Sequence, residues 1–555
     1  MNRVLLRVAL AVLSLCFVVF AASAQMPARF EITYSSNALA GPVTGRLFVI
    51  VSKKAEPEPR LAVSPQGPAI FGMNVDHWRA GEPVVLDAKS SLGYPKGLEE
   101  MPGGDYFVQA IVNVYTEARR SDGHTVAVHF DDSDQVEIFN TSPGNGYSDV
   151  QAAKIGGTES VKLTLSHIIA PHAPESDTQW VKHVRIESQK VSAFWGRPMY
   201  IYATVLLPKG YAEHPNSHYP VVFTMGHNVP FSFSTERASE RQTAATKTTG
   251  LETGYDFYQS WISDSFPRFI AISFQQQTPY FPDSYSINSV NQGPYGDAMI
   301  EEVIPALEKQ FRIIPKAYAR QLEGASTGGW QTLGLQLHHP DFFGGAWVLQ
   351  PDPIDFRHYQ LANIYEDENA FSVPTGPFTS TERPFKRAVN GQVVWTAREL
   401  SRFEEVLGSK GRSDFQLEGW EAIYGPIGPD GYPVPLWDKL TGKINHDVAN
   451  YMKEHGYDLL AYAEKNWRTL GPKVVGKLHF FAGDMDDFYL NLAVYSFQDF
   501  LKSTKDPHYE ADFTYGRPMK GHAWHSYTWA EYVAKMAEQV KRNAPGEEDT
   551  AQWNY

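Results

Sequence analysis

Cysteine is nearly absent from this 555-residue chain, with Cys16 the only one. That excludes a disulfide scaffold and thiolate metal sites. Basic residues are also in the minority: 49 Lys and Arg stand against 63 Asp and Glu, for a formal charge of −14. A broad nucleic-acid or anionic-membrane surface is excluded on that balance, because phosphate binding relies on clustered cations. No P-loop, dinucleotide fingerprint or zinc spacing occurs in a fitting context, so neither cofactor nor metal is expected. Internal repeats and low-complexity tracts are missing as well. The composition is otherwise apolar and aromatic, with 29 Tyr, 32 Phe and 13 Trp, and suits a large packed core.

Residues 1–24 combine Arg3 and Arg7, an apolar run from Val8 to Ala21 and a small-residue end, Ala22-Ser23-Ala24. This is the pattern of a secretory signal, and it predicts an exported, periplasmic or secreted protein. Cleavage after Ala24 removes Cys16, so any nucleophile must be sought elsewhere. After the signal, no stretch is apolar and long enough to span a membrane.

From about residue 25 to 170 the pattern has period two. Tyr106, Val108, Ala110, Val112 and Val114 alternate with Gln109 and Asn113, and Val161 to Leu165 alternates similarly. Turn signals such as Pro102-Gly103-Gly104-Asp105 separate these runs, which predicts an N-terminal β-sandwich domain. Beyond about residue 180 the pattern changes. Tyr200–Leu207, Val221–Met225 and Phe269–Ser273 are continuous apolar runs, and a helix is expected over Asp297–Phe311. Strands alternating with helices predict an α/β fold with a doubly wound, mainly parallel sheet over about 180–545. The stretch of about 356–470 interrupts that rhythm and reads as a helical cap insertion.

Gly324-Ala325-Ser326-Thr327-Gly328 has the form G-x-S-x-G, with a strand before it and a helix-compatible run after it. A serine at such a turn needs small neighbours, projects its hydroxyl from the sheet edge and aims the helix N-terminus at the reacting group. The Thr327 backbone N–H is then placed to face an oxyanion. A serine hydroxyl needs a histidine to take its proton and a carboxylate to orient that histidine. Downstream, Gly483-Asp484-Met485-Asp486-Asp487-Phe488 follows an apolar strand, and Gly521-His522-Ala523-Trp524-His525 precedes a helix marked by Thr528-x-x-Glu531. Asp486 is the favoured acid, with Asp484 and Asp487 behind it. His522 is preferred to His525 as base because it directly follows a glycine at a strand end. His525 and Trp330 are then candidates for the substrate pocket. A second oxyanion donor is expected in the Gly226-His227-Asn228 loop, with His227 the nearest residue. Asn288, Asn291, Tyr295, Asp352 and Asp355 are weaker candidates for the pocket rim, and His338-His339 suits the end of the elbow helix.

Gly324–Trp330 and the segment Asp283–Asp297 resemble the large secreted "putative esterase" group of α/β-hydrolases, related to esterase D and feruloyl esterases. Phe194–Pro198, Pro351–Phe356 and Gly521–Trp524 carry the same resemblance. It implies the α/β-hydrolase fold and a triad of Ser326, Asp486 and a histidine. Gly521-His522-x-Trp524 is similar to the feruloyl esterase pattern, whereas His525-Ser526-Tyr527 is similar to esterase D. The expected activity is hydrolysis of a small-molecule or glycan-linked carboxylic ester. Two other readings stay open: an amidase or peptidase using the same triad, and a catalytically inactive glycan-binding or adhesion protein.

Overall fold

Two large β-sheets organise the chain. The computed structural model describes residues 28–133, 138–157, 159–226, 232–546, 548–553 and 555. The signal segment 1–24 and the His227-Asn228 candidates lie outside them. Among the described residues, no helix is long and apolar enough to cross a membrane.

The N-terminal sheet has nine strands, eight on one hydrogen-bonded path and the ninth, Gln151–Ile155, paired off it with Gly104–Val114. Its centre is Val43–Ser52 against Gly104–Val114, antiparallel, with Leu47 opposite Val112 and Val49 opposite Ala110. One face of this pair, through Leu47, Val49, Val108, Ala110 and Val112, packs with Phe30, Ile32, Leu163 and Leu165 into a core of its own. The other face is covered too: Phe48, Ile50 and Ile111 join the core shared with the C-terminal unit. Burial on both faces explains why residues 47–51 read as a continuous apolar run. Gln109 and Asn113, on that second face, are buried with their amides bonded to the Ser148 carbonyl and to Asn145.

The second sheet comprises β1 (Val181–Glu187), β2 (Tyr200–Leu206), β3 (Val221–Met225), β4 (Ile270–Gln275), β5 (Arg320–Ser326), β6 (Gly345–Pro351), β7 (Leu478–Gly483) and β8 (Asp512–Gly516). Its order is β1-β2-β4-β3-β5-β6-β7-β8. Only β2 runs against its neighbours; β4 to β8 are mutually parallel. This is the α/β-hydrolase sheet, buried on both faces as its apolar strands require. The helix expected over 297–311 begins at Tyr295 and ends at Gln310, with a π-helical turn at Met299–Val303 just before Pro305. Proline has no N–H to donate there, and the wider turn accommodates it.

After β5 comes α1 (Thr327–His338). Between β6 and β7 the chain leaves the sheet for two hairpins (Ser372–Glu382 and Pro384–Thr396) and the helices α2 (Ala397–Leu407), α3 (Gln416–Tyr424), α4 (His446–Glu454) and α5 (Leu459–Val474). Arg46 of the N-terminal sheet donates to the Glu405 and Val406 carbonyls at the end of α2, which ties that sheet to the insertion. After β7 come α6 (Asn491–Ser503) and, beyond β8, α7 (Trp529–Asn543). Thr528 and Glu531 form the expected reciprocal cap of α7.

Candidate active site

Ser326 is the last residue of β5 and the cap of α1, at φ 58° and ψ −120°. A non-glycine residue at positive φ is strained, so the surrounding turn must impose it. The two flanking glycines show how. A Cβ on Gly324 would stand 2.5 Å from the Gly328 carbonyl oxygen, and one on Gly328 only 2.1 Å from that of Met225, at the end of β3. No side chain fits either place, so the elbow closes tightly enough to lift Ser326 off the sheet.

The loop after β7 brings its three carboxylates to the segment 520–522, each for a different purpose. Asp486 is fully buried; its Oδ1 accepts the N–H groups of Phe488 (2.9 Å) and Leu490 (3.2 Å). Its Oδ2 accepts Nδ1–H of His522 at 2.7 Å. Asp484 accepts the Lys520 N–H (2.9 Å) and Asp487 that of His522 itself (3.1 Å). The outer pair thus shapes the histidine loop, while Asp486 holds the ring. Phe488 meets the imidazole edge-on at 5.1 Å. Burial lowers the His522 pKa, but the charge and hydrogen bond of Asp486, with the charges of Asp352 and Asp487, outweigh it and raise the imidazole above 6.5.

His525 sits differently. Its backbone N–H donates to Thr249 O, and its Nδ1 bonds the Ala523 carbonyl at 3.1 Å. Burial, with the neighbouring His522 charge, takes its pKa down to about 4. Among the described residues, no carboxylate bonds this ring. Trp330 is buried, stacked obliquely on Tyr424 (5.0 Å) and edge-on to Tyr285 (5.6 Å). It lines a cavity of about 310 Å³ with Asn288, His338 and Tyr457, a lining that includes neither Ser326 nor His522. Asn291 and Tyr295 bond the Gly425 and Gln277 carbonyls, and Asp355 pairs with Arg357; all three brace loops.

Asp352 is the residue that sequence reasoning undervalued. It follows β6, is 3% exposed, and accepts the Ser326 hydroxyl on Oδ1 at 3.2 Å. Around Oδ2 stand the hydroxyls of Tyr285 (2.5 Å) and Thr327 (3.1 Å), the Gln416 amide (3.0 Å) and the Trp420 indole N–H (3.2 Å). Burial and the Asp352 charge hold the Tyr285 phenol well above its ordinary pKa. Gln416 and Trp420 belong to α3, so the insertion contributes directly to the surroundings of the serine. Among the described residues, no group of three His, Cys, Asp or Glu side chains could hold a metal ion.

A strained serine between two glycines and a histidine held by a buried carboxylate are the kinds of group that acyl transfer uses. Residues 192–405, which include Ser326 but end before Asp486 and His522, match the family model described as "Putative esterase". That segment is similar to the esterase family. No curated protein matches the chain. Among solved structures, a ferulic acid esterase is similar at 15% identity over 65% of this chain and 97% of its own, with a TM-score of 0.33. A fluorophosphonate-binding serine hydrolase of Staphylococcus aureus gives 15%, 65%, 98% and 0.34 for the same quantities. An S-formylglutathione hydrolase of Agrobacterium tumefaciens gives 9%, 68%, 98% and 0.31.

Proposed function

We propose that the protein is an exported serine hydrolase that cleaves carboxylic esters through an acyl-enzyme, with Ser326 as nucleophile, His522 as general base and acid, and Asp486 as its orienting carboxylate. The observation that carries this reading is the strained elbow at Ser326, whose φ of 58° is enforced by two glycines without room for a Cβ. Strain of this kind is retained where the exposed hydroxyl does chemistry.

In the first half-reaction Ser326 Oγ attacks the acyl carbon while its proton passes to Nε2 of His522. Asp486 keeps the Nδ1 proton in place and stabilises the imidazolium. The negative charge that develops on the carbonyl oxygen is met by the Thr327 N–H at the start of α1 and by a second donor from the segment that follows β3 in the sequence, with His227 the candidate. The leaving alcohol takes the proton from His522. Water then gives a proton to the same nitrogen and attacks the acyl carbon; the bond to Ser326 Oγ breaks as His522 returns that proton to it, and the acid leaves. We assign no cofactor to the cycle.

Three further elements belong to this reading. Residues 1–24 are a signal that directs the chain to the periplasm or the exterior. Residues 25–170 are a β-sandwich unit fastened to the catalytic unit of 180–545. The insertion of about 356–470 is a cap over the sheet edge.

The test is a panel of p-nitrophenyl esters against aminoacyl anilides, for the wild type and Ser326→Ala. Ester turnover that Ser326→Ala abolishes supports the proposal. Preferred cleavage of the anilides, or ester turnover that survives the substitution, overturns it.

A further inference from the structure

Asp352 is a buried carboxylate beside the nucleophile, and its partners among the described residues are all neutral: the hydroxyls of Ser326, Tyr285 and Thr327, the Gln416 amide and the Trp420 indole. The two oxygens are unequal. Oδ2 is crowded by four donors, whereas Oδ1 receives only the Ser326 hydroxyl, at 3.2 Å. Once Ser326 gives up its proton and bonds to an acyl carbon, that donor is gone. Oδ1 is then left buried without a hydrogen-bond donor and close to an oxyanion of like charge; the charge of the His522 imidazolium offsets part of that repulsion but is bonded to Asp486, so a further donor to Oδ1 is favoured. The four donors on Oδ2 do not supply that group among the described residues, and a substrate can.

We propose that Asp352 reads a hydrogen-bond donor, a hydroxyl or an ammonium, on the carbon next to the scissile carbonyl. This rests on the serine esterase reading and names its substrate class: esters of α-hydroxy or α-amino acids. A substituent on that carbon is only a few bonds from Ser326 Oγ, a span comparable to the 3.2 Å that separates Oγ from Oδ1. The donor replaces the lost serine proton at Oδ1. A positively charged one also offsets the repulsion between Asp352 and the oxyanion. By the same reasoning, acyl groups that carry a carboxylate are rejected.

The phenyl esters of propionic, lactic and alanine acids differ only in H, OH or NH₃⁺ at this carbon, and the phenyl hydrogen ester of succinic acid supplies the rejected charge. Their kcat/KM values are measured on the full chain and divided by each ester's hydroxide rate, which removes intrinsic reactivity. For the wild type, a normalised preference of about 10-fold or more over propionate is expected for at least one donor ester. Lactate alone assigns a hydroxyacyl substrate, alaninate alone an aminoacyl one, and succinate falls below propionate. In Asp352→Asn, which keeps the shape of the side chain, the preference shrinks to within about twofold. Equal normalised rates in the wild type overturn the proposal, as does a preference that persists in a folded Asp352→Asn. The wild-type comparison decides even where the variant fails to fold. Turnover of propionate without any preference refutes the Asp352 assignment and leaves Ser326 as an esterase nucleophile. Failure to cleave any ester, with Ser326 unreactive toward a fluorophosphonate, refutes both.

Discussion

Replacing Asp486 by asparagine separates its role from those of the acids beside it, and the hydrogen bonds set the size of the effect. Oδ1 accepts two backbone N–H groups, from Phe488 and Leu490, while Oδ2 faces Nδ1 of His522 at 2.7 Å. An asparagine keeps its carbonyl oxygen where the two N–H donors are, which turns its NH₂ toward His522. Nδ1 must then accept, the ring proton moves to Nε2, and the imidazole can no longer take the proton of Ser326. Flipping the amide forfeits both backbone bonds, about 2 kcal/mol, and leaves only a few per cent of molecules in the competent tautomer. Loss of the negative charge beside the imidazolium adds a further factor of roughly 100, so kcat/KM should drop by about 10³–10⁴. Asp484→Asn and Asp487→Asn keep an oxygen for the Lys520 and His522 N–H groups and should lose less than about 10-fold. Initial rates on p-nitrophenyl acetate measure all three, with melting temperatures to confirm folding. A loss below 10-fold in Asp486→Asn, or an equal loss in either neighbour, refutes this reasoning.

The two histidines should separate in the same assay: His522→Ala falls at least about 10³-fold, whereas His525→Ala keeps most of its activity, and the reverse order would exchange their roles. The wild-type kcat/KM should rise with pH through a value above 6.5, because His522 must be neutral to accept a proton and its imidazole is held charged by Asp486. The same shift favours the folded state at low pH, fully below about 6.5, and that contribution fades as pH rises through the folded value. Glu323 is buried in β5, and burial takes its carboxyl up to about 8, so the folded state retains a proton that the unfolded state releases near 4.5. Stability therefore falls between those two values, and Glu323→Gln should recover about 4 kcal/mol at pH 8 but little at pH 4, as read by urea denaturation; a gain independent of pH counts against it. In Gly328→Ala the new methyl meets Met225 O at 2.1 Å, so the elbow must open, with a stability cost of about 1–3 kcal/mol and a loss of about 100-fold in ester hydrolysis. Unchanged activity in a folded Gly328→Ala would show that the turn tolerates a side chain.

The elbow was legible in the sequence because its constraint is local: two glycines, spaced around a serine, answer to backbone atoms of the same turn and of β3. The segments that carry Asp486 and His522 were legible in order, since strand ends and a capping box mark where each falls. Which of the three neighbouring acids bonds the His522 ring depends on where each oxygen points, and that is visible only in the fold, where it is Asp486. Asp352 was hard to weigh for a different reason. Tyr285, Gln416 and Trp420 lie 67, 64 and 68 residues from it, so no spacing along the chain links them. Alternation revealed the strands of the N-terminal unit, but not that Phe30–Tyr34 pairs in parallel with Val161–Leu165 across the length of that unit. Trp330 shows the limit of motif reasoning: four residues past the serine, it lies one helical turn further along α1, in the core with Tyr285 and Tyr424.

The most direct measurement is to treat the protein with a fluorophosphonate, digest it and map the adduct by mass spectrometry. One phosphonyl group per chain, on the peptide that carries Ser326 and absent from Ser326→Ala, is the expected result. No adduct, an adduct on another residue, or equal labelling of Ser326→Ala would contradict the assignment of Ser326 as the nucleophile.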